Sequence, residues 1–422
     1  MRFPQFFLPA ILDLPIIIFT LVAAHGIINR VVKKHGLGAQ KSLLIKLYYY
    51  HLLFCLIYVA YIFLFGGDAI GYWRPPVRFI REGASLFLLH EPGSSFIHFI
   101  VYPFSQILKL SLWGGTILFS LFGFGGFLCI YLTIRRNLKV NPTLFGYKLF
   151  PLVLFLPNMH FWSSGVGKDT IIFFALALFI YALTNVRQNI VGLVLSFYLA
   201  FFIRPHIALV MLIGAGMAVL LSSRGISTFM RLGLIAASIV IFVLISGSVF
   251  NFIGVEEDSV ESYEDIANLR SKNLSRQSVG SSIELSTYSV PFRIFTFLYR
   301  PLFIDSGNAL GLVVSFENLL YLMLTFAILK FKTLNELWVM PMVLKACFFI
   351  ALATSYFLSS SLSNLGIIIR QKNMVMFMLL LVTLYVISQF QYRQQKMKQR
   401  PRNVVVPQIP GASIVNTPGQ NS

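Results

Sequence analysis

The feature that most constrains this chain is a succession of apolar segments that are close in length to a bilayer-spanning helix. About 20 apolar residues cross the hydrocarbon core as a helix, and eleven segments reach or approach that length. Their approximate ranges are 5–24, 47–66, 111–134, 144–158, 170–185, 188–203, 206–222, 232–253, 309–329, 338–360 and 373–391. Inside lipid, helices satisfy their own backbone hydrogen bonds. The pattern therefore predicts an all-α fold, a polytopic transmembrane helical bundle of about 11 spans, with 10 to 12 compatible.

The composition excludes the main soluble classes. Only 12% of the 422 residues are charged, about half the roughly 25% of a soluble domain. A soluble enzyme, a disordered regulator and a secreted disulfide scaffold are thereby excluded. The net charge of +19 does not indicate a nucleic-acid partner, because the basic residues lie mostly in short segments between apolar runs.

The distribution of basic residues predicts the orientation of the bundle. Alternate connections and the C-terminal region hold 19 Lys and Arg residues with a single carboxylate, Glu336, whereas the other connections hold almost all carboxylates. Basic connections stay in the cytoplasm. We therefore expect the N-terminus outside, the C-terminus cytoplasmic, a transmembrane domain over 1–392 and a disordered basic cytoplasmic tail over 393–422.

Two long outward loops, 67–110 and 254–308, contain segments that predict interfacial helices, at 96–108 and 290–303. The first loop begins with Asp68, which follows two glycines, and continues to Tyr72 and Arg74. Glycines allow close backbone or substrate approach, and aromatic and basic side chains suit a sugar and a phosphate. An ordinary interfacial belt of Tyr72, Trp73 and Arg74 is the alternative interpretation.

A short outward loop at 158–169 carries His160, Lys168 and Asp169 together with two serines and two glycines. Such a loop before a helix can present backbone N–H groups to an anion. The segment lacks the eight-residue P-loop pattern. A plain helix cap with a dipole-compensating Asp169 is the alternative, although it leaves the preceding polar run unexplained.

Further candidates lie at the predicted outer ends of later spans. Arg204 and His206 lie at the junction of two segments, Arg300 lies near the end of the second long loop, Glu317 lies inside an apolar run, and Arg370 precedes the last one. Arginine suits bidentate phosphate binding, and ionisable residues inside membranes are usually functional. For the arginines, anchoring at the lipid interface is the alternative.

These residues resemble a known group. Asp68 with Tyr72, the run Pro157-Asn158-Met159-His160-Phe161-Trp162-Ser163-Ser164-Gly165 followed by Lys168-Asp169, and Phe297-Leu298-Tyr299-Arg300-Pro301 are similar to segments of EpsG-like and Wzy-type polysaccharide polymerases. That group is broadly similar to GT-C membrane glycosyltransferases. Glu317-Asn318 and Asn364-Leu365-Gly366 with Arg370 extend the resemblance to about residues 60–375.

The resemblance implies an enzyme of the bacterial cytoplasmic (inner) membrane that transfers sugar from a polyprenyl-linked saccharide at the outer face, for envelope or exopolysaccharide biosynthesis. The candidate catalytic residues are Asp68, His160, Lys168 and Asp169. The candidate substrate- and diphosphate-binding residues are Tyr72, Arg74, Arg204, His206, Arg300, Glu317 and Arg370. Asp68 matches the early-loop carboxylate that acts as a base or binds metal in GT-C enzymes.

No cofactor is expected, and a divalent metal lacks the paired carboxylates that many such enzymes carry. The expected partners are the polyprenyl-linked saccharide, membrane lipid and other polysaccharide-assembly proteins, with no nucleic acid. Two other classes remain open. A transporter or flippase of lipid-linked saccharides would use the intramembrane residues Asp13, Glu317 and Lys345, and a noncatalytic assembly protein would leave the outward polar set unexplained.

Overall fold

The computed structural model describes residues 7–75, 89–222, 288–306, 309–330, 339–361 and 365–399, with isolated positions between 228 and 243. Within these ranges the chain is almost entirely helical, and one two-stranded hairpin is present. The all-α prediction is confirmed for this part of the chain.

In the part of the chain that the structure describes, six helices are long and apolar enough to cross a membrane. They are α1 (Asp13–His35), α2 (Lys41–Phe65), α5 (Leu112–Asn137), α12 (Ala309–Lys330), α13 (Met342–Ser361) and α14 (Leu365–Gln399). The short helices α3 (Asp68–Trp73) and α4 (Ser94–Tyr102) lie between α2 and α5. Together with the composition, these helices indicate a multi-pass membrane protein.

A second set of helices is shorter or bent. After the hairpin β1 (Thr143–Leu144) and β2 (Tyr147–Lys148) come a turn, α6 (Leu149–Leu152), and then α7 (Pro157–Ser163) and α8 (Lys168–Leu183), which meet at a bend of 112°. The shorter apolar helices among the described residues are α9 (Ile190–Ile203), α10 (Pro205–Leu220) and α11 (Val290–Tyr299). If α7 and α8 form one broken span, seven elements can cross the membrane.

The predicted segments and the observed helices differ in several places. The segment 144–158 is not one helix, because Pro151 and Pro157 break it into the hairpin end, α6 and the start of α7. The first segment is shifted, since α1 begins only at Asp13. Most of the segment 232–253 lies outside the described residues. The described part of the chain thus has six or seven spanning elements, compared with the eleven predicted segments.

The last helix is the longest, and it continues past the predicted boundary of the tail. Arg393 to Gln399 are helical, because their Gln, Lys, Arg and Met residues favour helix. Residues 400–422 of the predicted tail lie outside the described residues.

Burial shows how the helices are arranged. In α14, 83% of the most apolar 18-residue window is buried, whereas in α1 the share is 17%. The helix α14 therefore occupies the centre of the bundle and α1 its edge. On α1, Leu14, Ile18 and Val22 follow one another at intervals of one helical turn and are exposed. An exposed apolar stripe of this kind suits lipid rather than water.

Candidate functional site

Four charged side chains from distant parts of the sequence meet at one end of the bundle. Arg204 donates from an NH2 group to Asp169 at 2.7 Å, Arg370 donates through Nε to the other oxygen of Asp169, and Arg370 also donates to Asp68 at 2.5 Å. We call Asp68, Asp169, Arg204 and Arg370 the ionic cluster. The structure thus brings together four of the residues that the sequence placed on one side of the membrane.

Each member of the cluster lies at a helix end or within the first two turns of a helix. Asp68 begins α3, directly after Gly66 and Gly67. Asp169 is in the first turn of α8, where the helix dipole favours an anion. Arg204 separates α9 from α10. Pro205 begins α10 at the position where a missing backbone N–H costs nothing.

The bend between α7 and α8 brings Asp169 to the cluster, and it depends on glycine. A Cβ added at Gly165 would come within 2.1 Å of the ring of Tyr58 on α2. The hydroxyl of Thr170 donates to the carbonyl oxygen of Gly165 at 2.5 Å, which closes the turn before α8. The loop between α7 and α8, for which the sequence predicts anion binding, therefore also packs against α2.

The two carboxylates of the cluster differ in exposure. The side chain of Asp169 is 9% exposed and is held by two arginines, whereas that of Asp68 is 55% exposed and is held by one. Lys168 lies within electrostatic range of all four cluster residues. The charges of the two arginines and the two carboxylates cancel. The cluster and Lys168 together therefore have a net charge of +1 when Lys168 is protonated.

Tyr72 lies beside the cluster on α3. Its ring packs edge-on against His98 of α4 at a centroid distance of 5.8 Å. Burial raises the pKa of Tyr72, with a further contribution from the negative charge of Asp68. The phenol therefore stays protonated at neutral pH and can donate a hydrogen bond. Arg74, the residue after α3, is exposed.

An aromatic-walled cavity of about 510 Å³ adjoins the cluster. Its walls come from α2, α7, α12, α14 and the loop after α11, and they include Phe54, Tyr61, Phe161 and Trp162. Trp162 joins the two features, because the guanidinium carbon of Arg370 lies 5.5 Å from its ring centroid. A cation–π contact thus links the cavity wall to the ionic cluster.

Arg300 lies in the loop after α11, at the edge of the same cavity. Its guanidinium donates two hydrogen bonds to Asp305, from Nε to Oδ2 at 2.9 Å and from Nη2 to Oδ1 at 2.6 Å. Asp305 and Pro301 line the cavity. The hydrogen bonds from Arg300 lower the pKa of Asp305, so this carboxylate is charged at neutral pH.

A buried group of polar side chains holds the Arg300 loop from the interior of the bundle. Lys372 of α14 is fully buried, and its ammonium donates to the carbonyl of Arg300 at 3.2 Å and to the side-chain oxygen of Asn318. Asn318 in turn donates to the carbonyl of Pro301 at 2.7 Å. Two successive carbonyls of the loop are therefore fixed by α12 and α14.

The adjoining residue Glu317 accepts hydrogen bonds from the Tyr321 hydroxyl at 2.6 Å and from the backbone N–H of Asn158 at 3.0 Å. Asn158 also donates to Asn373 at 3.1 Å. These contacts join α7, α12 and α14 below the cavity. Glu317 is buried inside the bundle and is separate from the ionic cluster in the hydrogen-bond pattern of the described residues.

The two candidate histidines both pack against phenylalanine rings. His160 is fully buried and stacks on Phe127 at 3.9 Å. Its Nε2 lies 2.7 Å from the carbonyl oxygen of Leu154 and its Nδ1 lies 3.0 Å from Nδ1 of His51. Both ring nitrogens are thus engaged inside the protein. His206 stacks on Phe357 at 5.1 Å.

Three residues of this region were not predicted as catalytic or binding residues: Trp162, Lys372 and His51. Lys372 fell just outside the predicted last segment, 373–391, although α14 begins at Leu365. With the correct helix start, Lys372 would have been recognised as an intramembrane cation. For His51 the signal was a lone polar residue in the apolar stretch of α2.

The arrangement combines a half-exposed carboxylate, fixed guanidinium groups, a phenol and an aromatic-walled cavity. Such a set can bind an amphiphile with an anionic head and can accept a proton from a hydroxyl. Among the described residues, no three His, Cys, Asp or Glu side chains lie close enough together to hold a metal ion. Comparisons with family models, curated proteins and solved structures find no match for this chain.

Proposed function

We propose that the protein is a membrane glycosyltransferase or polysaccharide polymerase that uses a polyprenyl-linked sugar donor, for envelope or exopolysaccharide biosynthesis. The observation that carries the proposal is the ionic cluster, in which Asp68, Asp169, Arg204 and Arg370 meet beside a mostly apolar cavity. A lipid-linked sugar diphosphate needs both environments, one for the anionic head and one for the chain. The resemblance described above supports the same reaction class.

In the proposed reaction, an acceptor hydroxyl attacks the anomeric carbon of the donor sugar. The bond between that carbon and the diphosphate oxygen breaks, and the diphosphate leaves with the electron pair. Asp68 takes the hydroxyl proton, since its side chain is 55% exposed. Arg370 and Lys168 stabilise the negative charge that grows on the leaving group.

We place the proposed site on the outer face of the membrane, away from the cytoplasm. The described carboxylates other than Glu317 lie at or near the end of the bundle that holds the cluster, and the exposed basic residues of α5 and α14 lie at the opposite end. This asymmetry supports a cytoplasmic C-terminus and an outer N-terminus. We extend the proposal to the bacterial cytoplasmic membrane and to about eleven spans. The six long helices would supply six of these spans.

The test is Asp68→Asn, which keeps the shape of the side chain and removes the basic oxygen. Loss of a general base lowers rates by about 10²–10⁴-fold, so polymer production in cells should stop while the protein level stays normal. Glu91→Gln is the matched control, because Glu91 is an exposed carboxylate of the same loop outside the cluster. Wild-type polymer from Asp68→Asn at normal expression would refute the proposed base.

Transport of lipid-linked saccharides is the second candidate, and the burial of Glu317 and Lys372 in neighbouring helices favours it. Transporters place ionisable residues inside the membrane. Asp13 and Lys345 support it less, since Asp13 accepts from the backbone of Ser111 at 2.9 Å and Lys345 donates to the carbonyl of Leu221 at 2.6 Å. If coupling resides in the membrane, Glu317→Gln should reduce polymer output more than Asp68→Asn does.

A further inference from the structure

The hairpin at the end of the bundle opposite the ionic cluster presents two aromatic side chains to its surroundings. Phe145 and Gly146 form its two-residue turn with φ of 51° and 81°, as a type I′ turn requires. The exposed fractions of Phe145 and Tyr147 are 74% and 72%. Bulky residues rarely adopt positive φ, so this exposed Phe is an unusual choice for a turn.

The hairpin is attached firmly to α14. Gln391 accepts from the backbone N–H of Thr143 at 2.9 Å and donates to its carbonyl at 2.7 Å. Ser388 accepts from the backbone N–H groups of Lys139 and Val140, both at 3.1 Å. The aromatic tip is therefore held at a fixed level along α14.

That level corresponds to the membrane surface. The continuous buried apolar stretch of α14 ends at Ser388, and every residue from Tyr392 to Gln399 is exposed. Gln391 thus lies where α14 changes from an apolar to a polar helix. At 1.5 Å per residue, Lys396 lies only about 7.5 Å farther along the axis. Aromatic side chains concentrate at this depth in membrane proteins.

The surroundings of the hairpin are strongly basic. Exposed cations lie on the ends of α5 and α14 and beside the strands, and among the described residues this end of the bundle has no carboxylate. These cations are Arg135, Arg136, Lys139, Lys148, Lys396 and Lys398. Their unbalanced charge is complementary to anionic lipid headgroups.

We propose that the Phe145 hairpin is an anionic-lipid-binding surface, in which Phe145 and Tyr147 insert at the headgroup level and Lys139 and Lys148 contact lipid phosphates. The alternative occupant, a partner protein, would leave the tip in water when the protein is alone in a bilayer. This inference is independent of the proposed transferase activity.

The test measures the position of the tip in nanodiscs. An environment-sensitive fluorophore is placed on Tyr147→Cys in full-length protein whose three native cysteines are replaced by Ala. Lys396→Cys, on the exposed end of α14, is the matched control. In discs that contain phosphatidylglycerol, we expect iodide to quench the label at 147 about threefold less than the label at 396. Equal quenching at the two positions would overturn the proposal.

A second experiment measures, with unlabelled protein, how much anionic lipid raises the melting temperature. The wild type should melt at a higher temperature in phosphatidylglycerol discs than in phosphatidylcholine discs. Phe145→Ser combined with Lys139→Gln and Lys148→Gln should remove most of that difference, whereas Phe65→Ser should retain it. Phe65 is 72% exposed at the opposite end of the bundle. An unchanged lipid effect in the triple variant would refute binding at the hairpin.

Discussion

Asp68 and Asp169 carry the same side chain in different surroundings. Asp169 is almost fully buried between two arginines, whereas Asp68 is half exposed and contacts one. A buried ion pair contributes little over apolar packing, but removal of one partner leaves an uncompensated charge. The two residues should therefore respond differently to the same substitution.

We expect Asp169→Asn to destabilise the protein by about 3–5 kcal/mol, because Arg204 would remain buried without its counter-ion. Asp68→Asn should change stability by less than about 1 kcal/mol, since an exposed pair contributes little. Thermal melting of the two purified variants in detergent measures the difference. Equal melting temperatures would contradict the assignment of Asp169 as the structural member of the cluster.

The ion pair between Arg300 and Asp305 makes the stability of the fold depend on pH. The pKa of Asp305 in the folded protein is lower than its value of about 3.9 in an unfolded chain. The pair therefore contributes its full stability above that value and loses it as pH falls through the lower folded pKa. The melting temperature of the wild type should exceed that of Asp305→Asn at pH 6, and the difference should shrink in more acidic buffer. A difference that stays constant down to pH 2.5 would count against the pair.

The helices α12 and α14 act together through Lys372 and Asn318, which hold the carbonyls of Arg300 and Pro301. The loop that carries Arg300 to the cavity rim is thus fixed by groups on the inside of the bundle. A buried lysine is costly unless its ammonium is fully hydrogen-bonded. Its hydrogen bonds to Arg300 and Asn318 offset part of that cost.

Lys372→Met should release the loop, because Met has a similar length but no charge. Loss of a hydrogen bond to a charged group costs about 1.5–3 kcal/mol, so a cysteine at Ser306 should react roughly tenfold or more faster with maleimide. Lys345→Met is the matched control, since Lys345 is also buried but binds Leu221, away from the loop. Equal labelling rates in the two backgrounds would show that Lys372 does not position the loop.

The whole bundle is electrically asymmetric, because the described carboxylates other than Glu317 lie near one end, whereas the described residues of the other end include exposed cations and no carboxylate. If the basic end is cytoplasmic, a membrane-impermeant maleimide should label Glu91→Cys in intact cells. It should label Lys396→Cys only after the cells are permeabilised. Both positions are exposed, so access to the reagent differs only by side. The reverse result would invert the topology and place the ionic cluster in the cytoplasm.

Several helices could be predicted closely from the sequence. The predicted segments 111–134, 170–185 and 309–329 lie within about three residues of α5, α8 and α12. An uninterrupted apolar run is a local property, and in lipid it has few alternatives to a helix. The alternation of basic and acidic connections also predicts that Asp68, Asp169, Arg204 and Arg370 lie on one side of the bundle.

The sequence by itself therefore determined an almost entirely helical, apolar fold and the approximate positions of several of its long helices. Only the tertiary structure decided which charges pair, that His160 is stacked in the interior, and that Lys372 holds the Arg300 loop. Pairing depends on which helices become neighbours and on whether a side chain can reach across them. Those are long-range properties of packing, and neither the length nor the polarity of an individual segment contains them.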